Sequence, residues 1–178
     1  AYRNDDNGRM VAVDSSGNVY VVGQTNLTGG IDSIVIAKYN SIGVHQWDKT
    51  FGDSSTDNKG FGICVDGSDN ILVCGQSNKG TSGTGAILLK LNSSGAEQWQ
   101  KTLDGASTQV AYEVAVDSSD NVYIGGYTTI SGYNYFLLAK YNSSGTLQWN
   151  KKIGGSSTTD QGRSVTVDSS DNVYIGGV

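Results

Sequence analysis

The side chains of this chain that could do chemistry are few, and most recur at one interval. Asp14, Asp66, Asp117 and Asp168 lie 52, 51 and 51 residues apart, opening the segments Asp14-Ser-Ser-Gly-Asn18, Asp66-Gly-Ser-Asp-Asn70 and their two later copies. Carboxylates and amides at this spacing partly match the start of a calcium-binding loop, but the distal bidentate glutamate is missing. A hairpin turn needs the same residues. There Asp bonds the backbone two residues on, and Gly takes positive φ at little cost. The turn is the preferred reading, and no metal ligand is assigned.

Catalytic candidates are thinner. His45 is the single histidine, and no acid recurs beside it, so it reads as a surface residue. No Ser-His-Asp, Cys-His or metal-type cluster is visible, and no cofactor is implied. Cys64 and Cys74 are too few for a disulfide framework and read as small buried hydrophobes, with a cross-strand disulfide as the alternative. Tyr127, Tyr133 and Tyr135 gather at or beside one connection, where aromatics could meet a sugar or a protein. A locally packed loop is the other reading. Lys38, Lys90 and Lys140 recur in register, as do Lys49, Lys101 and Lys151. They read as strand ends with apolar stems packed down and ammonium groups in water. The N-x-[ST] sequons at Asn26, Asn92 and Asn142 are mostly incidental, since the last two are simply turn sequences.

The elements carrying these residues follow from the repeat. Val11–Gly23 returns as Ile63–Gly75, Val114–Gly126 and Val165–Gly177. A period near fifty marks one supersecondary unit copied in tandem, each copy relying on its neighbours to bury its faces. One copy reads as two hairpins. Val11–Val13 and Val19–Val22 flank the Asp turn. Ile34–Tyr39 and a strand carrying Gln46-Trp47 flank the turn Asn40-Ser-Ile-Gly43. The strands are almost continuously apolar, so both faces of each sheet must be covered. Four-stranded antiparallel sheets stacked around an axis satisfy this, which makes the expected fold an all-β β-propeller. Ala12 and Ala115 suit the crowded inner strand. The tryptophan strand comes last and lies outermost.

The predicted blades are 1–52, 53–104 and 105–154, followed by a half blade, 155–178, with only the first two strands. That is fourteen strands, about three and a half blades, and such an arc cannot close. It leaves blade faces and a strand edge open. Further blades, from the same longer chain or from other chains, are expected to complete it. The opening at Ala1 fits an excised or processed window.

At Ala12-Val-Asp-Ser-Ser-Gly-Asn-Val-Tyr20, Ala37-Lys-Tyr-Asn40 and Gln46-Trp47 with Gly52, the sequence resembles the bacterial and archaeal seven-bladed β-propeller (SBBP) repeat. The match recurs four times along the chain. Asn142-Ser-Ser-Gly145, Trp149 and Gly154 also resemble the tryptophan-docking motif of quinoprotein propellers. That resemblance implies that Trp47, Trp99 and Trp149 dock on neighbouring blades, with Trp99 in doubt because its glycine comes one residue late. Tryptophan-to-alanine changes there are expected to cost about 3–5 kcal/mol. WD40 and kelch signatures are absent.

A net charge of −5 argues against nucleic acid and anionic membranes as partners. No apolar run is long enough for a transmembrane helix. The connections 24–33, 52–60, 76–85, 104–110, 127–134 and 154–162 differ between copies, and variable loops on a rigid frame usually carry recognition. The expected function is a non-enzymatic module for extracellular or cell-surface binding, adhesion or scaffolding, with a protein or glycan ligand. A structural subunit of a filament or coat, and an enzyme acting on polysaccharide, are the alternatives.

Overall fold

Turns of Asp, Ser, Asn and Gly alternate with β-branched and aliphatic runs, and a chain so patterned folds into consecutive hairpins. The computed structural model describes residues 6–26, 30–52, 55–78, 83–105, 108–155 and 159–178, and among these it contains fourteen strands and no helix. The first sheet is β1 (Asn7–Val13), β2 (Val19–Asn26), β3 (Asp32–Tyr39) and β4 (His45–Phe51). The second is β5 (Asp57–Val65), β6 (Ile71–Asn78), β7 (Thr84–Leu91) and β8 (Glu97–Leu103). The third is β9 (Gln109–Val116), β10 (Val122–Ile130), β11 (Tyr133–Tyr141) and β12 (Leu147–Ile153). A last hairpin pairs β13 (Gly162–Val167) with β14 (Val173–Gly177). Every sheet is an antiparallel meander in chain order.

The sheets stack through their first strands. β5 lies against β1, β2 and β3, β9 against β5, β6 and β7, and β13 against β9, β10 and β11. The fourth strands pack chiefly on their own sheets, so the first strand is innermost and the fourth outermost, as in propeller blades. Tyr20, Val22, Ile34 and Ile36 of the first blade meet Ile63, Val73, Leu89 and Leu91 of the second. Leu72, Cys74, Ala86 and Leu88 meet Val114, Ile124 and Leu137 of the third. Each such Leu or Ile contributes about 1.5–3 kcal/mol when fully buried. Burial on both faces explains why the strands lack polar alternation.

The arc is open. Val11 is 57% exposed, whereas its counterpart Ile63 is 4% exposed. At the other end Tyr174 is 55% exposed, whereas Tyr20 is fully buried. A shallow hollow of about 310 Å³ on the free face of the first blade is lined by Val21, Val35, Ala37 and Tyr39.

The expected connections need correction. The segment 127–134 is not a loop: β10 and β11 continue through it, and Ser131-Gly132 closes the hairpin with φ of 51° and 87°. Two successive positive φ values are the geometry of the two-residue turn that matches strand twist. The cysteines follow the preferred reading: Cys64 is opposite Leu72 and Cys74 opposite Gly62, both are free, and Cys74 is fully buried. The connections 24–33 and 76–85 are narrower than expected, since β2 reaches Asn26 and β6 reaches Asn78. Residues 27–29, 53–54, 79–82, 106–107 and 156–158 of the variable connections, including part of the Asn26 sequon, lie outside the described residues.

Candidate functional site

Each inner strand carries two recurring features, one at each end. At its C-terminal end is the Asp turn. Asp14 accepts the N–H groups of Ser16 and Asn18, the Asn18 amide and the Tyr20 hydroxyl. Asp117 does the same with Ser119, Asn121 and Tyr123, and adds Lys140 Nζ at 3.4 Å. The second blade has Leu72 in place of the tyrosine, and there Lys90, itself buried, closes to 2.7 Å from Asp66. Thus Lys90 is not a solvated strand end, and Lys140 is a carboxylate partner. Lys38 stands 4.0 Å from Asp14.

These donors set the charge. Burial works against ionisation of Asp117, but bonds from Asn121, Tyr123 and Ser119 outweigh it and hold the carboxyl at about 2. Asp14 and Asp66 are lowered by the same balance, with Lys90 the leading donor at Asp66. The turns are also tied to one another. Asp69, Asp120 and Asp171 sit at φ near 60° and reach the preceding blade. Asp69 accepts the Ser15 N–H and hydroxyl, Asp120 the Gly67 N–H, and Asp171 the Ser118 N–H and hydroxyl. The first copy has Gly17 at this position and so has no such clamp to offer.

At the N-terminal end of each inner strand is a β-bulge. Register slips between Gly8 and Met10, Gly60 and Gly62, Ala111 and Glu113, and Gly162 and Ser164. The extra residues are Arg9, Phe61, Tyr112 and Arg163. A bulge re-aims its side chain, and here the four form a row. Arg9 Cζ lies 5.5 Å from the Phe61 ring, the Phe61 and Tyr112 rings are 5.4 Å apart, and Arg163 Cζ lies 4.5 Å over Tyr112. Tyr127 joins from the next strand, 5.9 Å from Tyr112. The sequence reading missed this row, although its members share the 51–52 residue interval. Their side chains are unlike, so no repeated letter marks them.

The structure separates the predicted tyrosines. Tyr127 pairs with Phe136 and turns to Tyr112, while Tyr133 and Tyr135 lie on the opposite face of the sheet. Two of the three tryptophans lie against the turn of the next blade. Trp47 Cζ2 is 3.2 Å from the Cβ position of Gly95. Trp99 packs on Gly145 and donates its indole N–H to the Ser143 carbonyl at 3.3 Å. Its late glycine does not prevent docking, because the contact is made by the turn of the following blade. Trp149 stacks beside Tyr123 of its own blade at 6.1 Å. His45 is exposed, 3.5 Å from Asp48. A cleft of about 670 Å³ between the first two sheets is lined by Thr50, Phe51, Asn58, Ser77, Glu97 and Gln100, among others. Glu97 is a carboxylate among its described lining residues.

Comparison with known proteins agrees with this geometry. A family model described as Beta-propeller repeat (SBBP) matches residues 1–29, 103–134 and 148–178. Residues 30–102 and 135–147, which include Gly67, Leu72 and Cys74 of the second copy, lie outside the matched residues. An uncharacterized WD repeat-containing protein, L264, of Acanthamoeba polyphaga mimivirus is 28% identical over 152 aligned residues. The alignment covers 70% of this chain and 10% of that protein, so the chain spans about a tenth of the relative's length.

Proposed function

Because this chain belongs to the β-propeller repeat family, we propose that it acts as a non-enzymatic module for binding and scaffolding, completed by further blades. The carrying observation is the pair of unfinished ends. Val11 and Tyr174 are exposed where sister residues are buried, and an apolar blade face is stable only against another blade. The added blades come from a longer chain or from other chains. The acidic charge and the Ser, Thr and Asn content support a role outside the cell or at its surface, with a protein or glycan as ligand rather than nucleic acid. No helix among the described residues is long and apolar enough to cross a membrane.

Light scattering on the chain across a concentration series tests this reading. The expected result is a mass above 18.7 kDa that rises with concentration, with Val11→Lys shifting the balance toward single chains. A wild-type chain that stays at 18.7 kDa throughout contradicts it. One observation favours a second reading, a filament or coat subunit. The two open ends are different surfaces, and head-to-tail contacts of that kind generate open assemblies unless the rotation closes them. Electron microscopy of associated material separates rings from fibres. An enzyme acting on polysaccharide predicts turnover as well as binding when glycans are screened.

A further inference from the structure

The row Arg9, Phe61, Tyr112 and Arg163 takes one residue from each blade and bridges them guanidinium to ring and ring to ring. Its chemistry is that of a receptor. The chain has three arginines against a net charge of −5, and two of them stand in this row. Neither guanidinium has a carboxylate partner among the described residues. Instead Arg9 bonds the amide oxygen of Gln24 at 3.5 Å and Arg163 that of Gln161 at 2.5 Å. A neutral acceptor orients the guanidinium without neutralising it. Stacking on an aromatic ring uses the face of the group and leaves its N–H edge free, which is the edge that takes a carboxylate through two parallel bonds. Glu113, the acid beside Tyr112, is engaged with the Val165 N–H at 3.3 Å.

The rings narrow the ligand. An aromatic that cradles a sugar needs an open face. Tyr112 has Phe61, Arg163 and Tyr127 around it, and Phe61 lies between Arg9 and Tyr112. Phe61 and Tyr112 are both half-buried, and their ring edges, the positive part of the aromatic quadrupole, are set between two cations. We infer that this row binds an acidic peptide segment, with Arg9 and Arg163 each gripping a carboxylate and the edges of Phe61 and Tyr112 seating the chain between them. The inference rests on the binding-module reading and supplies its ligand class.

The test is fluorescence anisotropy of a labelled glutamate-rich decapeptide with the full chain, and an oligogalacturonate of equal charge as the second arm. The expected result is peptide binding that weakens steeply with added salt and falls at least about tenfold in the Arg9→Gln/Arg163→Gln double variant. Arg9→Lys/Arg163→Lys keeps the charge but not the planar fork, so an intermediate loss is expected. The inference is overturned if the wild type does not bind the peptide at low salt, or if the double variant binds it equally well. An arginine-dependent preference for the oligogalacturonate also overturns it, in favour of an acidic glycan. Light scattering on the double variant keeps the two readings apart, because loss of the row leaves the association of the blade ends unchanged.

Discussion

The two ends of the inner strands recur at the same interval and behave oppositely. At the turn end all four copies keep the same aspartate, and its oxygens are taken up by N–H and O–H groups of its own turn. At the bulge end the residues change from Arg to Phe to Tyr to Arg, and their polar groups are only lightly engaged. A position that repeats in kind with every bond satisfied is a frame element. A position that repeats in place but not in kind, on that same frame, is free to specialise. The comparison therefore separates what builds the propeller from what it presents.

The largest effects belong to the frame. Asp66→Ala strands the buried ammonium of Lys90, and breaking a buried pair from one side costs about 3–5 kcal/mol. Chemical denaturation reads it, and a loss under about 1 kcal/mol would remove the turn from the list of frame elements. Asp168→Ala, in the exposed half blade, should cost far less. Next comes the outer docking. Trp99→Ala loses its contact with Gly145 and Ser143 and is expected to cost about 3 kcal/mol, the low end for this change because the side chain is half-buried. The half blade that follows Trp149 carries no outer turn for it to pack on among the described residues, so Trp149→Ala should cost less than half as much. Equal losses at the two positions would mean that docking on the next blade is not the source of the stability.

Acid should also act on the frame and not on the row. Asp14, Asp66 and Asp117 have folded-state pKa values below the ordinary carboxylate value. Their contribution is complete above about pH 4 and is lost as pH falls through the folded value, about 2 for Asp117. Melting temperature measured from neutral pH downward should hold and then drop across that window. The smallest effect is expected at the row. Arg9→Gln should change stability by no more than about 0.5 kcal/mol, as for a surface residue. A loss several times larger would make the row part of the frame and erase the contrast.

The sequence showed the frame more clearly than the site. Asp, Asn and Gly at fixed offsets have one efficient use, so the turns and the order of strands were readable. Continuous apolar runs required covered faces, which implied radial stacking. The bulges were not readable, because an unpaired residue inside a strand does not alter the repeat length, and Arg, Phe, Tyr and Arg share no property that a pattern would catch. The Lys90–Asp66 pair was hidden for a related reason. Repetition revealed the lysine position but not that its ammonium group turns to the aspartate of the turn, a contact that is shortest, 2.7 Å, where Leu72 stands in place of the sister copies' tyrosine. The hairpin tip at Ser131-Gly132 was obscured because variable composition was equated with irregular backbone.

Hydrogen–deuterium exchange resolved by strand tests the open-ended stack most directly. The account predicts that β5, β6, β9 and β10, covered on both faces, exchange last, while β13, β14 and the free face of the first blade exchange first. Uniform protection across all fourteen strands in a dilute, single-chain sample would contradict it.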